Sequence, residues 1–358
     1  MSLKFQPLKV KEIIQETHDA NTVVFEKPNE GFNYKPGQYL TLKFDIGGES
    51  VRRAYSLCSS PISDADLAVT VKRVENGKVS NYIANSLRGG DTVEVMPPMG
   101  NFKVDIDASR AHHYVLLGGG SGITPLMSII KSVLEVEVNS KLSLIYANKS
   151  EADIIFHSAL TELQSRFGDR LKVIHSLDQA GDSWTGLKGM LTRMSILSIV
   201  QDIMGADSLS KSFWLCGPGG FMEEVQSALG FLGIAKDAIN REIFTAPLPD
   251  PNKEAKTVSA EPVAGKRGDY TIKVKLDGDE KDVHVKNKTT ILEAVLDDGM
   301  DPPYACQMGV CCTCRAKVLS GQVEMEEDEG LSDQEIEDGY ILTCQSHPLT
   351  PDVVIEYG

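Results

Sequence analysis

The chain has 358 residues, 41% of them hydrophobic. That suffices for two or three ordinary cores, and no apolar run approaches the ~18 residues of a membrane-spanning helix. A formal net charge of −15 argues against a nucleic-acid partner. The excess is uneven: residues 266–358 hold nine Lys and Arg against twenty Asp and Glu, with the densest stretch at Glu324 to Glu329. That stretch reads as a solvated loop, or as a surface that steers a basic partner. Seven cysteines, five of them in the last quarter, point to metal chemistry in a reducing compartment rather than a disulfide framework. With no signal-peptide apolar region at the N-terminus, the expected location is the cytoplasm.

Residues 1–107 read as short alternating strands broken by Gly, Pro and Asn clusters: Leu8–Ile14, Thr22–Phe25, Tyr39–Phe44, Leu67–Val74 and Thr92–Val95. The pattern predicts a small antiparallel β-barrel. Within it, Arg53, Ala54, Tyr55 and Ser56 form a run whose arginine and tyrosine, two apart on a strand, share one face. A phenol can stack on a flat ring, and a guanidinium can neutralise phosphate. Gly77, Lys78, Val79 and Ser80 follow where a helix can begin, and free N–H groups at such a start bind phosphate. Either feature alone is ordinary surface; together they point to a dinucleotide lying across the barrel.

From residue 108 to 245 strands alternate with helices. Tyr114–Leu117 is an apolar strand, Gly118 to Pro125 a glycine turn, and Leu126–Leu134 a helical run. This is a dinucleotide-binding βα unit. Gly119, Gly120, Ser121 and Gly122 let the backbone approach a pyrophosphate. Thr124 and Pro125 open a helix whose N-terminus favours its charge. Further elements are expected at Leu142–Tyr146 (strand), Ile154–Phe167 (helix), Leu171–Ile174 (strand), Met194–Met204 (helix) and Ser212–Leu215 (strand). The last strand ends in a turn from Cys216, Gly217 and Pro218 to Met222, before another helix. A parallel sheet presents ligands at such strand ends, although a lone cysteine there is often a small buried hydrophobe. Asn240–Phe244 reads as a final strand-like segment. There is no Ser/His/Asp set and no H-E-x-x-H motif.

Residues 246–266 have linker composition, with several prolines and few large apolar side chains. A compact domain fills 267–358. Tyr270–Leu276 and Lys281–Val285 form a hairpin about Asp277 and Gly278, and Thr290–Leu296 a short helix. Then Cys306, Cys311 and Cys314 follow the spacing C-x4-C-x2-C, with Cys344 after a long gap. A plant-type [2Fe–2S] cluster takes its ligands this way, three thiolates from one tight loop and the fourth from a distant segment. Structural zinc favours paired C-x2-C units, and the second pair is missing. Adjacent Cys311 and Cys312 would form a disulfide only under strain. Cys312 falls between ligands and is expected to pack inward or remain a free thiol.

These residues resemble the ferredoxin–NAD(P) reductase superfamily fused to a C-terminal plant-type [2Fe–2S] ferredoxin, over nearly the whole chain. Arg53 to Ser56 matches its R-x-Y-S flavin motif, and Gly77 to Ser80 its G-x-x-S flavin-pyrophosphate motif. Gly118 to Pro125 looks like its nicotinamide pyrophosphate loop, Cys216 to Pro218 like its C-G-P motif, and Glu242 to Phe244 like its E-x-F segment. The domain order is similar to that of the phenylacetyl-CoA epoxidase (ring 1,2-monooxygenase) reductase group, and related oxygenase reductases share it. The resemblance implies a multidomain fold: an antiparallel β-barrel flavin domain (1–107), an α/β Rossmann-like nucleotide domain (108–245), a linker (246–266) and an α+β β-grasp ferredoxin domain (267–358).

It also implies electron flow from NAD(P)H to FAD to [2Fe–2S] to a protein acceptor such as an oxygenase component. A hydride brings two electrons, a cluster takes one, and a flavin handles both. By the same resemblance Tyr55 would stack on the flavin, Arg53 and Ser80 would hold its pyrophosphate, and Ser56 would bond its ring. Cys216 and Glu242 would border the nicotinamide–flavin contact and organise hydride transfer, with Phe244 nearby. NADP-using relatives often carry Ser-Arg where this chain has Ser176 and Leu177. Leu177 and Asp178 offer no cation, which leans to NADH, although Lys149 is a possible charge and the phenylacetyl-CoA group implies NADPH. Three other readings stay open: a reductase for another oxygenase, hybrid-cluster or ferredoxin-type acceptor; a redox-sensing module without turnover; and a zinc-stabilised binding protein.

Overall fold

The computed structural model describes residues 4–28, 30–244, 255–259 and 265–358. Alternation of apolar and polar residues builds the first sheet from β1 (Gln6–Thr17), β2 (Ala20–Phe25), β3 (Tyr39–Ile46), β4 (Glu49–Ser56), β5 (Leu67–Lys72) and, after helix α1 (Lys78–Asn85), β6 (Thr92–Met99). They pair antiparallel in the order β4-β3-β6-β1-β2-β5. A bridge between Leu57 and Val69 joins the two ends of that order, so the sheet closes into a barrel. Leu8, Phe25, Leu40, Leu42 and Val95 fill it, and α1 packs Val79 and Ile83 against them.

The second sheet is wholly parallel. Its strands are β7 (His112–Gly119), β8 (Lys141–Asn148), β9 (Leu171–Leu177), β10 (Leu187–Lys188), β11 (Ser210–Cys216) and β12 (Ile239–Glu242). The order is β10-β9-β8-β7-β11-β12. Helices α2 (Ile123–Val136) and α3 (His157–Phe167) cover one face; α4 (Arg193–Gly205) and α5 (Gly219–Phe231) cover the other. Burial on both faces explains why β7 reads as a continuous apolar run: Tyr114 and Leu116 join one core, Val115 and Leu117 the other. Several expected boundaries move by a few residues. The helix expected from Ile154 starts at His157, because Phe156 is left-handed (φ 63°). The turn expected to run to Met222 is already helical from Gly219.

The third unit is a mixed sheet in the order β15-β14-β20-β16-β18. Its strands are β14 (Tyr270–Leu276), β15 (Asp279–Val285), β16 (Arg315–Ser320), β18 (Tyr340–Leu342) and β20 (Val354–Tyr357). At the hairpin turn Asp277 and Gly278 both have positive φ (55° and 91°), as a type I′ turn requires. Helix α6 (Ile291–Asp297) starts with a capping box between Thr290 and Glu293 and packs Ile291 and Val295 into the core. A small antiparallel sheet joins β13 (Lys256–Ser259) to β17 (Gln322–Met325) and β19 (Ser346–Pro348). Helix α7 (Asp333–Glu337) lies between β17 and β18. The segment 246–266, expected as linker, thus contributes a strand; its residues 246–254 and 260–264 lie outside the described residues.

The three units meet. Tyr39 of the barrel belongs to the core of the third unit, with Ala54 and Met99 packed beside it. The acidic stretch, expected to be solvated or to steer a partner, is engaged within the chain. Glu324 and Glu326 pair with Arg267, Asp328 pairs with Lys256, and Glu329 pairs with Arg241 of the parallel sheet at 2.8 Å. No helix among the described residues is long and apolar enough to cross a membrane.

Candidate functional site

A cavity of about 530 Å³ opens where the three units converge. Strand β4 lines it with Arg53, Ala54, Tyr55 and Ser56, and the start of α1 with Gly77, Lys78, Val79 and Ser80. Gly77 leaves room for the chain to turn: a Cβ there would lie 2.6 Å from the Ser80 hydroxyl. The first N–H groups of α1 have no intrahelical partner, so with Arg53 they could hold a phosphate. The Ser80 hydroxyl accepts the Val74 N–H at 3.1 Å, which leaves its own proton to give. Burial pushes the Tyr55 phenol well up, so its ring enters as a neutral aromatic face. The residues fit a flavin dinucleotide: aromatic face, cations and helix start line one cavity. Lys72 and Arg73 also line it. Sequence reasoning missed them because their only signal was a place at the end of a strand.

The opposite wall comes from the parallel-sheet unit: Ser121, Thr124, Glu242, Ile243 and Phe244. Strand β7 lies between β8 and β11, so the chain leaves it in opposite directions, and ligands bind at that switch point. Two glycine turns meet there at the carboxyl ends of β7 and β11, where Gly118 is opposite Cys216. A Cβ on Gly122 would fall 2.0 Å from the Cys216 carbonyl oxygen, and one on Gly119 2.8 Å from Pro218. A Cβ on Gly217 would be as tight, 3.0 Å from the Gly119 nitrogen. Gly120 takes φ +51° and Pro125 lies in the first turn of α2. This backbone cradle fits a pyrophosphate. Cys216 is fully buried and is not among the cavity-lining residues; it pairs across the sheet with Glu242, which is.

The third wall is the cysteine loop: Cys306, Met308, Val310 and Cys311 face the same cavity. The Cys306 thiol lies against those of Cys311 and Cys344, which pull its pKa down, and Cys344 holds down that of Cys314. Among the described residues, the one set of three or more ligand-type side chains with all ligand atoms within 4.8 Å is His18, Asp19 and Asp153. No three cysteine sulfurs are that close, whereas tetrahedral zinc at ~2.3 Å would hold all four within ~3.8 Å of each other. The spread suits a two-iron group. Gly309 (φ +74°) has no room for a side chain, since a Cβ would lie 2.5 Å from Glu327. The Met308 N–H donates to the Cys306 sulfur at 3.3 Å. Cys312 packs inward, as expected, with burial pushing its thiol up to about 11.

Burial also pushes the Glu242 carboxyl up to about 8. The folded chain therefore binds more protons there than the unfolded chain between pH 4.5 and about 8, and stability is lost as pH rises through that window. Glu242→Gln is expected to flatten this part of the stability curve, read as the thermal midpoint of the flavin-free protein against pH. Parallel curves for variant and parent would count against the assignment.

Three family models match the chain: an oxidoreductase FAD-binding domain over residues 7–104, an oxidoreductase NAD-binding domain over 116–227 and a 2Fe-2S iron-sulfur cluster binding domain over 274–349. The chain is 34% identical to one of the subunits of 1,2-phenylacetyl-CoA epoxidase of Escherichia coli (strain K12), covering 99% of this chain and 98% of that protein. It is 38% identical to the ferredoxin reductase component of 3-ketosteroid-9-alpha-monooxygenase of Rhodococcus rhodochrous, covering 98% and 96%. Phthalate dioxygenase reductase shares the fold over 98% of both chains, with a TM-score of 0.59 at 22% identity. The chain therefore belongs to the family of oxidoreductases in which FAD-binding, NAD-binding and 2Fe-2S domains together form the reductase component of an oxygenase system.

Proposed function

We propose that this chain oxidises NADH and delivers the electrons singly, through FAD and a cluster held by Cys306, Cys311, Cys314 and Cys344, to an oxygenase component of the phenylacetyl-CoA epoxidase type in the cytoplasm. The observation that carries the reading is the shared cavity: the Arg53–Ser56 run, the Glu242–Phe244 segment and two cluster cysteines line one space. Flavin supplies the exchange between paired and single electrons. Arg53 and the start of α1 hold its phosphates, Tyr55 stacks on its ring, and Ser56 bonds it. The glycine cradle at Gly119–Gly122 and Gly217 seats the nicotinamide pyrophosphate. Cys216 and Glu242 shape the meeting point of the two rings, and the neutral carboxyl of Glu242 can donate a hydrogen bond there.

The NADH preference rests on Asp178, exposed at the end of β9, which would repel a 2′-phosphate. Anaerobic titration followed by absorbance tests both parts. NADH is expected to bleach flavin and cluster, and to do so ~10-fold or more faster than NADPH, as an unpaired like charge predicts. Faster bleaching by NADPH would overturn the nicotinamide assignment; a colourless pure protein would overturn the reductase. A second reading, an acceptor of the 3-ketosteroid-9-alpha-monooxygenase type, is favoured by the 38% identity. Turnover with each purified oxygenase separates the two.

A further inference from the structure

Tyr39 belongs to the barrel by sequence and to the cluster domain by packing. It is 3% exposed, pairs with Ser56 on β4 and lines the flavin cavity beside Cys306 and Cys311. Its hydroxyl lies 3.0 Å from the Thr313 hydroxyl and 3.3 Å from the Cys312 thiol. The Thr41 hydroxyl, on the same strand as Tyr39, is 3.3 Å from that of Thr313. Thr313 is fully buried, between Cys312 and Cys314 and two residues after Cys311. A hydroxyl has one proton to give and two lone pairs to fill. Thr313 can therefore accept from both Tyr39 and Thr41 with its own proton still to give. The Cys312 S–H can donate to the Tyr39 oxygen.

We propose that Tyr39 is the positioning residue for electron transfer between the flavin and cluster domains: it pins the cysteine loop to the flavin cavity and, by holding Thr313, orients a hydroxyl proton beside the Cys311 and Cys314 ligands. The inference rests on the electron route proposed above. A donor aimed at a ligand sulfur favours the more negative, reduced state of the cluster. Each nicotinamide oxidised yields two electrons and leaves one proton to solvent. The electrons cross singly, each turning one ferric iron ferrous until the acceptor takes it. Tyr39 and Thr313 gain and lose none; they fix separation and polarity. Cys312 thereby acquires a role as a hydrogen donor at the end of the relay.

Tyr39→Phe keeps the ring and the packing and removes only the hydroxyl. Thr313→Val interrupts the same relay from the other domain. Thr313→Ser keeps it. In the flavin- and cluster-loaded protein, stopped-flow spectroscopy reads flavin reduction and cluster reduction separately, and an anaerobic redox titration followed by electron paramagnetic resonance reads the electron partition between them. In Tyr39→Phe and in Thr313→Val, the partition is expected to shift from cluster toward flavin by about threefold to tenfold, the span of one net hydrogen bond, and cluster reduction to slow relative to flavin reduction. The double variant is expected to shift little beyond either single one, and Thr313→Ser to behave like the parent. An unchanged partition in both single variants, or equal slowing of both reductions, would overturn the proposal. A parent protein whose flavin is reduced by NADH while its cluster stays oxidised would overturn the electron route itself, and this inference with it.

Discussion

Cys344→Ser is expected to abolish the visible absorption of the cluster and to cut electron delivery to a protein acceptor by ~100-fold or more, because a buried thiolate site cannot recruit a replacement ligand. Cys344 is 5% exposed, lies between β18 and β19, and sets its sulfur against Cys306 and Cys314. The barrel and the glycine turns are separate elements with separate cores, so flavin content should be unchanged and NADH-dependent ferricyanide reduction should stay within about twofold of the parent. Losing both activities together would contradict a serial route in which flavin precedes cluster. Cys312→Ser is the contrast. It leaves the four proposed ligands in place and keeps a hydrogen donor beside Tyr39, so its iron content should match the parent. Loss of iron there would mean that the ligand set is misassigned.

What the sequence disclosed and what it hid divide along one physical line. Short-range periodicity was legible. Alternation marked β1, β2, β3, β5 and β6, the apolar run at Tyr114 marked a strand, and the spacing of Cys306, Cys311 and Cys314 marked the cluster loop, because each pattern is set by the geometry of a few consecutive residues. The left-handed Phe156 escaped, since nothing in a bulky aromatic announces positive φ. So did the strand at Lys256–Ser259, which forms only because β17 offers an edge some sixty residues on. The acidic stretch read as solvated because its partners, Arg241, Lys256 and Arg267, lie in other segments. The site was legible in its motifs and not in its assembly. Arg53 and Tyr55 stood out, whereas Tyr39 and Arg52 looked like ordinary strand residues until the third domain was packed against them.

Arg52 carries the second large effect. Alternation on β4 sends Arg53 and Tyr55 to the cavity and leaves Arg52 facing the cluster domain. It is 3% exposed; its guanidinium donates to the Pro302 carbonyl at 3.0 Å and pairs with Asp301. It also stacks over Tyr304 at 4.2 Å and Phe5 at 5.0 Å. Tyr304 is two residues from Cys306, so this contact sets where the cluster loop meets the barrel. Arg52→Ala removes the stack and the carbonyl bond but strands no buried charge, because Asp301 is mostly exposed. The loss in docking is therefore of order 2–3 kcal/mol, from one cation–π contact and one charge-assisted hydrogen bond. Cytochrome c reduction through the cluster should fall ~10-fold or more while ferricyanide reduction stays near the parent, since 1.4 kcal/mol is tenfold in a docking equilibrium. Cys312, shielded by Tyr39 in the docked form, should become accessible to maleimide. Arg52→Lys keeps the charge without the planar fork and should recover only part of the coupling. The parental labelling rate combined with lost coupling would show that Arg52 acts on the cluster itself and not on the docking of its domain.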